Sequence, residues 1–139
     1  MVTGINDVLI LAARVLLSTL FLIFGFRKLK DYSGTVSQIV QLGGPMPRLA
    51  AAVAIFMELP VAFAIAVGAF VRPSALLLFF YTLGTAIMGH RYWTMTGADQ
   101  VDGMDGFYKN LSIMGGFLLL FVSGAGKYSI DALGSIAAP

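Results

Sequence analysis

The chain has 139 residues, of which 58% are hydrophobic and 12% charged, with a mean hydropathy of +0.88 and a formal net charge of +2. A soluble domain carries roughly a quarter of its residues as charges, so this composition excludes a globule surrounded by water and requires apolar surface to face lipid. The absence of cysteine excludes thiol nucleophiles, disulfide exchange, iron–sulfur ligation and thiolate metal sites, the lone histidine excludes a haem held between two histidines of one chain, and nine dispersed basic residues make no nucleic-acid surface.

The first apolar run covers residues 8–26. Asn6 and Asp7 precede it without a basic residue, and "FRKLK" follows it, which is a stop-transfer flank and not a cleavage site, so the run is expected to stay in the protein as a transmembrane helix. Along it Arg14, Ser18, Phe21, Gly25 and Lys28 are spaced by four, three, four and three, which places them on one helical stripe. In "TVSQIVQLGGP", Val36, Ile39 and Val40 share an apolar face, Thr35 and Gln38 have capping-box spacing, and Gly43, Gly44 and Pro45 end the element; this predicts a short interfacial helix.

The second run spans 49–71 and the third 73–90, with Pro47 and Pro73 in the first-turn positions where a missing amide proton costs nothing. "GAFVRP" between them is a tight turn, which makes these helices antiparallel neighbours. The segment "GADQVDGMDGF" reads as a solvated turn: Asp99, Asp102 and Asp105 are spaced by three where a calcium loop alternates by two, and the closing glutamate is missing. The fourth run covers 110–126. Its end, "GAGKYS", lacks the leading glycine of a phosphate loop and follows no strand, which excludes nucleotide binding.

Each run is near the roughly 17 to 25 residues a helix needs to cross a bilayer, and continuous apolar runs in lipid must be helical because only helices satisfy their own backbone there. The predicted fold is therefore all-α: one four-helix transmembrane domain over residues 1–139, with a short interfacial helix between the first two spans. Arg27, Lys28, Lys30, Arg48, Arg91 and Lys109 flank the two long loops, against Arg72 and Lys127 on the other side, so the loops are expected in the cytoplasm and the termini outside. Tyr92, Trp93, Phe107 and Tyr108 fall where an aromatic belt would lie.

Glu58, in "IFMELPVAF", is the only charge between Leu49 and Val71, and a charge at that depth costs several kcal/mol unless it finds a partner, a proton or water. Counted from the shared loop-side ends at 1.5 Å per residue, Arg14 lies about 18 Å up its helix and Glu58 about 13 to 14 Å up its own, which predicts an Arg14–Glu58 pair. Ala51, Ala54, Ala62 and Ile65 flank Glu58 on its face. Pro60 cannot donate to the carbonyl of Phe56, so a side chain or water is expected there. Arg14, Ser18, Glu58 and Pro60 thus form a candidate buried polar site, either a pocket for a small head group or protons, or an ion pair that only clasps two helices. Lys28, His90, Arg91, Lys109 and Asn110 form a second candidate site at the loop-side rim, suited to an anion, a lipid head group or a quinone carbonyl; the plainer reading is basic residues snorkelling to the interface.

In order, Arg14, "FGFRKL" with Gly25 and Lys28, "ELP" with Glu58, "GAFVRPSA" with Gly68 and Arg72, His90, "KN" at Lys109 and Asn110, and the ending "GAGKYSIDA" resemble the DoxX family of small four-helix bacterial membrane proteins. The resemblance implies an inner-membrane protein linked to quinone oxidation or oxidative-stress complexes, with no covalently bound cofactor, quinone as the candidate one and redox subunits as partners; the apolar surface that four short helices leave exposed adds further copies of itself as a second expected partner. The resemblance assigns no catalytic residue, and the residues themselves suggest no metal site. Three functions follow as expectations: an accessory subunit of a quinone-linked oxidoreductase, not expected to act as a catalyst by itself; a small-molecule binding or transport protein; or an assembly and anchoring subunit.

Overall fold

The computed structural model describes residues 2–137, with side chains over 4–134. Every described element is helical: α1 (Val2–Lys30), α2 (Tyr32–Gln41), α3 (Pro47–Phe56), a π-helical turn (Met57–Val61), α4 (Ala62–Val67), α5 (Val71–Gly89), a 3-10 turn (Tyr92–Thr94), α6 (Gly97–Ser123) and α7 (Ile130–Ala137). α3, the π turn and α4 run on as one rod. Four rods are long and apolar enough to cross a membrane: 4–30, 47–67, 71–94 and 97–123. The end of the bundle that carries the α1–α2–α3 and α5–α6 connections is called the loop side, and the opposite end the terminal side.

The predicted stripe of α1 faces inward, with Arg14, Ser18, Phe21 and Gly25 buried. Ala51, Ala54, Glu58, Val61, Ala62 and Ile65 form the matching face of the second rod. The rods pack as two close pairs, α1 against α3, the π turn and α4, and α5 against α6; α1 and α6 touch less extensively. Phe21 and Phe117 join the pairs at the centre, their ring centroids 5.5 Å apart. Leu16, Phe63, Phe80, Leu119 and Val122 stand outward, as lipid-facing residues must.

Several boundaries differ from the sequence reading. Residues 97–109 are the first turns of α6 and not a solvated loop. Asp99, Asp102 and Asp105 lie on its exposed face, while Gly103 and Gly106 turn inward: Gly103 packs on Met95 and Tyr92, and Gly106 lies under the His90 ring. Glycine and aspartate signalled a turn there, yet the same glycines permit close helix contact. The fourth rod accordingly ends at Ser123, and 124–129 is a separate strap leading to α7. The interfacial helix is present but starts earlier, with Asp31 as its N-cap accepting from the Gly34 amide. Thr35 is buried and donates to the carbonyl of Asp31 at 2.9 Å, so it makes no capping box with Gln38.

Pro47 occupies the first turn of α3, as expected, and Pro73 is the third residue of α5. The tight turn between α4 and α5 is built on Gly68 at φ 81° and Phe70 at φ 50°. Tyr92, Trp93, Phe107 and Tyr108 form the expected aromatic group at the loop side, with edge-to-face contacts such as Trp93–Phe107 at 5.7 Å.

Candidate functional site in the loop-side half of the bundle

Arg14 and Glu58 are both buried, at 1% and 4% exposure, but they do not meet. Lys28 is the partner of Glu58: its Nζ lies 2.9 Å from Oε1, to which it donates, and 2.8 Å from Oε2. Arg14 donates instead to three carbonyls, those of Ala125, Ala66 at 3.3 Å and Tyr128 at 2.7 Å. The reason is the lean of helical side chains. Long side chains in an α-helix point back toward the N-terminus of their own helix, and these two rods are antiparallel. Arg14 therefore reaches toward the terminal side and Glu58 toward the loop side, so similar Cα depths give divergent heads.

The loop-side cluster is built by close approach. A Cβ placed on Gly25 would lie 2.8 Å from the Cβ of Glu58 and 2.9 Å from the Cγ of Leu59, so only glycine lets α1 come this near the second rod. One turn further along α1, Lys28 then reaches the carboxylate. On the other rod, Pro60 cannot donate to the Phe56 carbonyl, and the π register offers that carbonyl to the residue after the proline. The expected side chain or water is replaced by a backbone adjustment. Pro60 itself faces outward, and it acts by reshaping the backbone beside Glu58.

From α5, Tyr81 brings its phenol within electrostatic reach of the same carboxylate. One helical turn on, Asn110 of α6 donates to the Thr85 hydroxyl at 3.3 Å. All four spanning rods thus place polar groups in one layer: Lys28, Glu58, the Tyr81–Thr85 turn and Asn110. Tyr81 was missed in the sequence. The available signal was its depth, about as many residues from the Gly68–Phe70 turn as Glu58 on the other side of it.

The predicted rim site is divided among other tasks. Lys28 belongs to Glu58, and Asn110 to Thr85. Arg91 donates to the Leu42 carbonyl at 2.7 Å, tying the end of α5 to the loop after α2. His90 packs on Gly106 within electrostatic reach of Lys109, which is exposed.

The terminal-side cluster around Arg14 includes the rest of the shared motif. Ser18 donates to the carbonyl of Arg14 at 2.7 Å and stays within α1. The Asp131 carboxylate lies within electrostatic range of Arg14 and accepts the amides of Phe70 and Val71 at 2.7 and 2.9 Å, capping α5 from outside. Its own amide donates to the Gly68 carbonyl at 2.8 Å. Asp7 accepts the Lys127 amide at 3.0 Å, and Arg72 Nε donates to the Phe121 carbonyl at 3.1 Å. "GAGKYSIDA" is therefore a strap fastened over the end of the bundle. Among the described residues no group of three or more His, Asp or Glu side chains is placed to hold a metal ion.

The DoxX family profile matches residues 9–91. Inner membrane protein YphA of Escherichia coli is 51% identical over 126 residues, covering 91% of this chain and 90% of that protein. Inner membrane protein YqjF of the same organism is 37% identical over 129 residues, covering 93% and 94%. No solved structure matches the chain.

Proposed function

The chain belongs to the DoxX family and is a multi-pass inner membrane protein, and on that premise we propose that it serves as a membrane accessory subunit of a quinone-linked oxidoreductase. The observation that carries this reading is the Lys28–Glu58–Tyr81 cluster, an ammonium, a carboxylate and a phenol together inside a lipid-embedded bundle. Ionisable groups within a membrane mark ligand, ion or proton pathways more often than not. Here they supply a donor for a carbonyl oxygen and an acceptor for a hydroxyl, the two needs of a quinone head group in its oxidised and reduced forms. With no cysteine and one histidine in the sequence, electrons have to travel on such a lipid-soluble carrier or on a partner chain.

The Arg14 cluster favours a second reading for the other half of the molecule, that of a structural fastener. Both terminal nitrogens of its guanidinium are bonded to backbone carbonyls, and the side chain has no lipid-facing side. In this proposal the long loops face the cytoplasm and the termini the opposite side, following the excess of basic residues at the loop ends. The broad outward apolar surface is the part that meets redox subunits or further copies.

Purification of the tagged chain from its native membrane in mild detergent, followed by quantitative mass spectrometry of accompanying proteins, tests the accessory role. A redox enzyme at near-equal stoichiometry is the expected result. Recovery of the chain alone or only with itself would remove the accessory reading.

A further inference from the structure

Hydroxyl side chains inside the spanning helices mostly spend their proton on their own backbone. Ser18, Thr19 and Ser112 each donate to the carbonyl four residues back, and Thr85 to the one three residues back. Thr82 does not. It is 1% exposed, and its Oγ1 has no hydrogen-bond partner. A buried hydroxyl without a partner is rare in a folded protein and is costly to maintain. Its place is equally specific, within one turn of α5 between Tyr81, which lies within electrostatic reach of Glu58, and Thr85, which meets Asn110.

We propose that Thr82 is a second hydrogen-bonding point of the loop-side site, taking the far oxygen of a ring that carries two oxygens while the near oxygen lies against Lys28 and Tyr81. The inference rests on the quinone reading above and adds the residue that distinguishes a two-oxygen ring from a one-oxygen ring. The fold also provides for an apolar tail. Along the loosely packed α1–α6 seam runs an open groove of about 740 Å³, in the size range of small-molecule sites, lined by Leu17, Leu20, Ile113 and Gly116 among others. Ile113 lies one turn from Asn110, so the groove ends about one helical turn short of the α6 member of the polar layer and continues toward the terminal side. A head group in the layer with its chain in the groove leaves only apolar atoms facing lipid.

The test uses the full chain in detergent, freed of endogenous lipid, with a decyl-substituted 1,4-benzoquinone as probe and the matching ring bearing a single carbonyl as control, both read by titration calorimetry. The quinone should bind the wild type, Thr82→Val should weaken it about three- to tenfold, the equivalent of one hydrogen bond, and Thr82→Ser should restore it. The one-carbonyl control should bind both variants alike. Without ligand, Thr82→Val should unfold at a higher temperature than the wild type, because it removes an unpartnered hydroxyl at nearly constant shape. Unchanged quinone affinity in Thr82→Val, alongside loss of binding in Lys28→Met, would overturn the role of Thr82 and leave the quinone reading standing. A lower unfolding temperature for ligand-free Thr82→Val would also overturn it, by showing an internal partner. No binding to the wild type would overturn both.

Discussion

The two halves of this bundle bury charge in opposite ways. On the terminal side, Arg14 is held by three carbonyls, two on the strap and one on α4, with Asp131 nearby; both terminal nitrogens are bonded to backbone and Nε alone lacks a partner. On the loop side, Glu58 is held by side chains alone. Lys28 retains 28% exposure on a flexible stem, and Oε2, although 2.8 Å from Nζ, lacks a well-directed hydrogen bond. A charge satisfied by backbone is a fastener, whereas a charge satisfied by a movable side chain can exchange its partner for a ligand.

The largest effect expected from breaking this contrast is at Arg14. Arg14→Met takes the charged donor from three carbonyls, and should cost about 3 to 5 kcal/mol, read as a large fall in unfolding temperature in detergent. A loss below about 1 kcal/mol would mean the strap is held by its other contacts. Next comes Gly25→Val, whose side chain has no room against Glu58 and Leu59. It should cost about 1 to 3 kcal/mol by the same assay and also separate Lys28 from Glu58.

Glu58→Gln should be gentler on stability, about 1 to 2 kcal/mol, because Lys28 can swing to water, but it should remove quinone retention. If stability falls as far as in Arg14→Met, the loop-side pair is a fastener as well. The smallest stability change is expected at Pro60→Ala. This outward position gains an amide and allows the π turn to relax to α, so unfolding should shift by less than about 1 kcal/mol while ligand affinity drops as Glu58 rotates. An unaltered affinity would show that the π turn does not position the carboxylate.

The sequence made legible whatever depends on hydropathy and periodicity. The four spans, the α1 stripe, the Ala51–Ile65 face and the antiparallel turn at Gly68 all follow from the spacing of apolar and small residues, and the burial of Arg14 and Glu58 follows from where they sit in those runs. The pairing of the two was not legible from Cα depth, because the direction of each side chain depends on the polarity of its helix. Extension of α6 back to Gly97 was hidden for a related reason: Gly103 and Gly106 suit a turn as well as a close contact, and only their packing on Tyr92 and His90 of the preceding connection decides between them. Tyr81 and Thr82 look like ordinary span residues until the layer they share with Glu58 and Asn110 is assembled.

The central claim is that the loop-side cluster holds a ligand while the terminal-side cluster holds the fold. The most direct measurement is the amount of quinone extracted per chain from wild-type and Glu58→Gln protein, purified from native membranes in mild detergent and matched for folded content. The account predicts close to one quinone per wild-type chain and a loss of most of it in the folded variant. Equal retention in both, or none in the wild type, would contradict it.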